Sequence, residues 1–358
     1  MKENLINLTI FELKEKFLSL CEKPYRANQS FDWIYKKTVF DTDLFSNFTK
    51  DLKEKINQNL EIKIPRIHDV TVSEDDNSYK FLLKTEDQKL IESILMISGK
   101  RATICVSCMI GCPLKCKFCA TGSELKFLRK LEISEIVGQV LSIQKYIKEN
   151  NVVLEDGKTM CKVTNIVFMG MGEPLLNLKN IEKTIQIFLD KNAFDFSKNR
   201  ITLSTSGVTT GLSDLINKFQ IKLAVSLHFP TDEQRSEFMP INISFSLQKL
   251  IDELKKIKLE KRSFITIEYI MLNKINDTIL HAKKLIKVLH GLKVKINLIP
   301  YNSTKSLPVL PSSEEQINLF AKYLRSKKIM VTIRRSKGKK IKGGCGQFIL
   351  SKGNNENQ

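Results

Sequence analysis

The chain has 358 residues, 42% of them hydrophobic, which excludes both a single small module and wholesale disorder. Lys and Arg number 58 against 39 Asp and Glu, a formal charge of +19 that favours a polyanionic partner over small cationic substrates. A lysine-rich composition is the plain alternative. Lys2, Glu3, Glu12, Lys14 and Glu15 break up the N-terminal apolar residues, so no signal peptide is visible. No uncharged apolar run reaches the ~18 residues of a membrane span, and a cytoplasmic chain without membrane contact is expected.

In chain order, residues 1–65 read as a small basic helical domain. Ile10, Leu13, Phe17 and Leu20 recur at helical spacing, as do Phe31, Ile34 and Tyr35 beside Trp33, and then Leu52, Ile56 and Leu60. Its lysine faces suit either an RNA grip or a solvated packing appendage. Residues 66–104 alternate as strands do, with turns at Asp75-Asp76-Asn77-Ser78 and Ser98-Gly99-Lys100, and predict a β-hairpin extension.

From 105 to 350 apolar, β-branched strands alternate with amphipathic helices. Strands are expected at 101–106, 163–169, 200–204, 221–227, 264–271, 294–299 and 329–334. Helices are expected at 133–146, 181–189, 212–219, 247–257, 280–289 and 314–324. These βα units predict an α/β chain with a parallel sheet. Six units are too few for a closed eightfold barrel, so a partial, open barrel is expected. The polar tail, 351–358, reads as disordered.

Five of the eight cysteines fall between Cys105 and Cys119. Without an export signal such clustering suggests metal binding or chemistry, not disulfides. Cys112, Cys116 and Cys119 form C-x3-C-x2-C. Three thiolates with no nearby His suit a cubane iron–sulfur cluster, one iron of which stays free for a substrate. A zinc knob completed by Cys105 or Cys108 is the alternative.

The cysteine spacing, Phe118 before the third cysteine, and Met169-Gly170-Met171-Gly172-Glu173-Pro174 after the second strand together resemble the radical S-adenosylmethionine (SAM) superfamily. Nearly the whole chain is similar to the RlmN/Cfr family of RNA methyltransferases. The similarity rests on Arg26-Ala27-Asn28-Gln29, Asp32-Trp33-Ile34-Tyr35, Ile91-Glu92-Ser93 and Leu203-Ser204-Thr205-Ser206-Gly207. It continues through Ser226-Leu227-His228, Met239-Pro240-Ile241-Asn242, Asn297-Leu298-Ile299-Pro300-Tyr301-Asn302 and Gly344-Cys345-Gly346-Gln347.

That resemblance implies one [4Fe–4S] cluster on Cys112, Cys116 and Cys119, and two SAM molecules per turnover. It implies SAM contacts from Gly172, Glu173, Ser204, Ser226, Leu227, His228 and Asn302. Cys345 would carry the methyl group, Glu92 would take the ring proton of the adenine, and Cys105 would release the product by forming a disulfide with Cys345. The implied activity is methylation of adenosine C2 in 23S rRNA and tRNA; C8 methylation by the same core is the alternative. A non-catalytic metal-containing RNA-binding protein is a remote one. The implied partners are those RNAs and an electron donor such as flavodoxin or ferredoxin, with the chain a monomer.

The chain departs from the family pattern at several points. Lys340-Ile341-Lys342-Gly343-Gly344 precedes Cys345 within a basic run, and Met109 and Cys108 replace the usual Gln and Ser. Lys126-Phe127-Leu128-Arg129-Lys130-Leu131 replaces the usual Gly-Phe-x-Arg-Asn-Leu. A more positive loop would grip phosphate more tightly, and Cys108 could compete with Cys105.

Overall fold

The structure, a computed structural model, describes residues 2–160 and 162–350. Cys161 and the tail expected at 351–358 lie outside the described residues.

The N-terminal segment forms α1 (Ile10–Ser19), α2 (Tyr25–Phe31, prolonged by a wide turn over Asp32–Lys36) and α3 (Lys50–Asn59). α1 begins at a reciprocal cap. The Glu12 amide donates to Thr9 Oγ1, and the Thr9 amide donates to Glu12 Oε2 at 2.9 Å. Helical spacing then sends Ile10, Leu13 and Phe17 inward together. Trp33 stacks on Phe45, and Lys37 Nζ lies 3.5 Å above the indole.

Among the described residues the main sheet has ten strands: β1 (Arg66–Ser73), β2 (Ser78–Lys84), β3 (Leu90–Ser98), β4 (Arg101–Cys105), β5 (Asn165–Phe168), β6 (Ile201–Thr205), β7 (Lys222–Ser226), β8 (Ile265–Met271), β9 (Val294–Pro300) and β10 (Met330–Ile333). They make one sheet in which every strand lies beside its predecessor in the chain. Pairing is antiparallel from β1 to β4 and parallel from β4 to β10. β1 and β10 are the free edges, so the barrel is open, as expected. The hairpin region is continuous with this sheet, joined to it by the β3–β4 pairing.

A short α4 (Ala120–Glu124) follows the cysteine loop. The crossover helices are α5 (Ile133–Glu149), α6 (Leu178–Leu189), α7 (Leu212–Phe219), α9 (Leu247–Lys255), α10 (Ile279–Val288) and α11 (Glu314–Ser326), with the short α8 (Asp232–Phe238) set before α9. They complete the six expected units, and β10 adds a seventh parallel strand. All seven residues of β8 are buried, because helices cover one face and the barrel interior the other. The N-terminal helices dock on this body. The Ser134 amide donates to Asn7 Oδ1 at 2.7 Å, and Tyr35 packs edge-on against Phe194.

Candidate functional site

The parallel strands all end at one cavity. It is lined by Cys105 from β4, Gly172 and Glu173 after β5, Ser204 from β6, Ser226 and His228 at β7, Glu268 from β8, Asn302 after β9, and Arg334 and Cys345 after β10. This is where parallel βα architectures place ligands.

Cys112, Cys116 and Cys119 line the same cavity. Their loop is fixed by the Cys119 amide donating to the Cys116 carbonyl at 3.1 Å, and by the Lys117 amide donating to the Phe238 carbonyl of α8 at 3.0 Å. Leu114, Phe118, Phe229, Phe238 and Met239 form an apolar packing around it. Among the described residues no three His, Cys, Asp or Glu side chains converge on a single-ion position. Three soft thiols around a shared void fit a cubane better than zinc. Burial, then the field of the neighbouring Cys119, pushes the Cys112 thiol up to about 12, and the same two causes raise Cys116. A bound metal that takes up thiolate charge removes that cost.

Gly172 has φ +101°, and a Cβ there would stand 2.6 Å from Met109 Cβ, so a bare backbone is required at this wall. Met109 therefore serves as packing beneath Gly172. Glu173 caps the short turn Pro174–Asn177 and accepts from the amides of Leu175 at 3.2 Å and Ser206 at 2.7 Å. A carboxylate has further lone pairs, so an ammonium can still be received. His228 is neutral, its pKa pulled down to about 3 by burial and by the Arg235 charge. Its Nδ1 accepts from the Ile270 amide at 3.1 Å, which puts the proton on Nε2. Leu227 differs from its neighbours: its side chain is buried and is not part of the cavity lining, so only its backbone is near the site.

Cys105 and Cys345 share the cavity. Cys345 is exposed and lines the cavity. Burial pushes its thiol up to about 11 and that of Cys105 to about 12, and the Arg334 guanidinium opposes both shifts. Cys108 does not line the cavity; its Sγ faces the Met171 carbonyl at 3.6 Å. Glu92 is fully buried and pairs with Lys80 at 2.9 Å. It is not a lining residue, although Ile94 and Met96, on the same face of β3, are. The Ile349 and Leu350 backbone lies against its carboxyl.

The loop bearing Cys345 is tied down on several sides. Asn302 Nδ2 donates to Ser336 Oγ and to the Cys345 carbonyl. The Ala120 amide donates to the Gly346 carbonyl at 2.8 Å, and Thr121 Oγ1 to the Phe348 carbonyl at 2.9 Å. Lys337 pairs with Glu155 and Lys340 with Asp75, so two lysines of the basic run are met by acids of this chain.

Sequence reasoning missed Arg235, Glu268 and Asn276. Asn276 is fully buried and donates to the His228 carbonyl at 2.9 Å, fixing the strand end. A lone acid in the apolar strand was the available signal for Glu268.

Fold and site together define a radical SAM enzyme. Residues 106–286 match the Radical SAM superfamily model, and residues 3–62 match the ribosomal RNA large subunit methyltransferase N-terminal domain. The chain is 42% identical to the dual-specificity RNA methyltransferase RlmN of Buchnera aphidicola subsp. Schizaphis graminum, over 97% of this chain and 94% of that one. It is 43% identical to the RlmN of Buchnera aphidicola subsp. Cinara cedri, over 98% and 97%. A crystal structure of a radical SAM methyltransferase from Sphaerobacter thermophilus matches with a TM-score of 0.88 at 35% identity, covering 96% of this chain and 98% of that one. The chain belongs to the RlmN family of radical SAM RNA methyltransferases. It is a SAM-dependent RNA methyltransferase with a [4Fe–4S] cluster and SAM as cofactors. No helix among the described residues is long and apolar enough to cross a membrane.

Proposed function

We propose that the chain methylates C2 of adenosine in 23S rRNA and in tRNA, using Cys345 as the methyl carrier. The observation that carries this reading is the presence of Cys345 and Cys105 in one cavity with Cys112, Cys116 and Cys119. Adenine C2 is electrophilic, so direct methyl donation from SAM is poor chemistry there. Cys112, Cys116 and Cys119 would hold the cluster, which when bound would supply, with SAM, a 5′-deoxyadenosyl radical.

The remaining work falls to residues of this chain. Cys345 accepts a methyl group from one SAM, gives one hydrogen atom of it to the 5′-deoxyadenosyl radical, and bonds the remaining carbon to adenine C2, so that the base is tethered through the Cys345 sulfur. Gly172, Glu173, Ser204, the 226–228 segment and Asn302 hold SAM. Glu92, on the strand face that leads to the cavity, takes the C2 proton. After the odd electron of the adduct is returned to the cluster, Cys105 attacks the Cys345 sulfur and breaks its bond to the tethered carbon, which takes a proton to become the methyl group of the released base; the resulting disulfide is returned to two thiols by an external reductant. In this reading 1–65 is an RNA-binding accessory domain, 66–104 carries Glu92, and 105–350 is the catalytic barrel. The chain acts as a cytoplasmic monomer supplied with electrons by a flavodoxin- or ferredoxin-like donor.

Nucleoside mass spectrometry tests the reading, on RNA incubated anaerobically with cluster-loaded protein, SAM and a reductant. 2-Methyladenosine is expected. 8-Methyladenosine would overturn the C2 assignment and leave the carrier chemistry standing.

A further inference from the structure

Arg235 on α8 is the largest fully buried side chain of the described residues. Its hydrogen-bond acceptors are all neutral: the Leu227 carbonyl at 3.3 Å, Asn242 Oδ1 at 2.7 Å, and the carbonyls of Ser206 and Ser226. The acid on its own helix, Asp232, accepts instead from Asn242 at 2.8 Å and from the Leu247 amide at 2.9 Å. A guanidinium buried without a contacting carboxylate is costly unless some other negative charge lies near it.

Asp232 and Glu173 supply part of that charge, and the end of α8 meets the cysteine loop. The Phe238 carbonyl, one turn on from Arg235, accepts from Lys117 between the cluster cysteines. Cys116, Phe238 and Met239 belong to one apolar cluster. Burial draws the Arg235 pKa down to about 10, and negative charge on Cys116, on Asp232 and on Glu173, in that order, opposes the fall. Space for the group is built in as well. Gly207 has φ +106°, and a Cβ there would lie 2.6 Å from Arg235 Nη2.

We propose that Arg235 is the resident counter-ion of the cysteine loop, balancing the thiolates of the bound cluster and favouring its reduced state, while its N–H groups hold the ends of β6 and β7 beside SAM. It is a positioning residue, since it reaches the reaction only through the loop and the strand ends. The inference rests on the assignment of Cys112, Cys116 and Cys119 as cluster ligands. The reduction adds one electron from an external reductant to the cluster, and a nearby buried cation makes that added negative charge less costly.

The test is an EPR-monitored redox titration of cluster-loaded, full-length protein. Arg235→Gln is expected to disfavour the reduced cluster at least tenfold, a midpoint lower by about 59 mV for a one-electron couple. Arg235→Lys keeps the charge and is expected within about threefold of wild type on the same scale. A wild-type midpoint in Arg235→Gln, or a tenfold loss in Arg235→Lys, would overturn the proposal. If Arg235→Gln does not fold, the Lys variant decides by the same two outcomes. Failure of the cluster assignment is separately visible, as wild-type protein that takes up no iron.

Discussion

Asn302 Nδ2 lies 3.2 Å from the Cys345 carbonyl oxygen and 2.9 Å from Ser336 Oγ. One amide group thus pins the loop that carries Cys345, at the strand end where SAM is expected. Asn302→Ala removes both contacts, each worth about 1 kcal/mol. SAM affinity should fall about tenfold by equilibrium binding, and amide hydrogen exchange across 344–347 should quicken. Unchanged exchange there would dissociate the loop from Asn302.

The two cavity thiols should be separable by their products. Cys345→Ala should abolish RNA methylation, while cluster absorbance and cleavage of SAM persist. Cys105→Ala should retain the RNA in a covalent adduct seen by denaturing gel electrophoresis. Cys108→Ala should release product normally, since its thiol is turned onto the Met171 carbonyl. An adduct in the Cys108 variant would reassign the resolving role.

Lys80 and Glu92 are buried together across β2 and β3. Lys80→Met leaves the carboxylate without its counter-charge and should cost about 3 kcal/mol of stability at neutral pH. Burial already raises the Glu92 pKa, and Lys80 is the largest influence holding it down. An acid whose pKa is higher in the folded state gives stability that is full below its unfolded value and lost as pH rises. The deficit of Lys80→Met should therefore shrink toward pH 4.5 in urea titrations. A deficit independent of pH would exclude an ionised Glu92 as its source.

Arg129 joins Asp87 and Glu135 through paired hydrogen bonds of 2.7 to 2.9 Å. The Arg129 hydrogen bond holds Asp87 down to about 2 from its ordinary 3.8. A depressed acid contributes stability above its unfolded pKa and loses it as pH falls through the folded one. Arg129→Met should therefore differ most from wild type above pH 3.8, and the gap should close as pH approaches about 2. Both side chains are partly exposed, so high salt should narrow the gap too.

The strands were legible because β-branched runs alternate cleanly with amphipathic helices, and each expected strand from 163–169 onward overlaps an observed one. That Cys112, Cys116 and Cys119 share one cavity was legible because three cysteines in eight residues of one loop stay close together. Arg235 was not. It sits in Asp-Glu-Gln-Arg-Ser-Glu-Phe, a stretch polar enough to read as solvated surface, and only the approach of α8 to the cysteine loop buries it. Leu227 was read as part of a binding motif, yet strand alternation turns its side chain away while Ser226 and His228 face the cavity. The Lys337 and Lys340 charges were legible, but their pairing with Glu155 and Asp75 depends on tertiary proximity.

Because space order and chain order coincide along the ten strands, a growing polypeptide can add each strand to an edge already formed. The cysteine loop belongs to an early stage of that sequence. The segment that clasps it, through Ala120 with Gly346 and Thr121 with Phe348, is the last of the described residues to be synthesised. During synthesis the cysteine loop thus stays uncovered on that side until residues 346–348 emerge, a window in which a metal group can be delivered to it before the Cys345 loop closes over it.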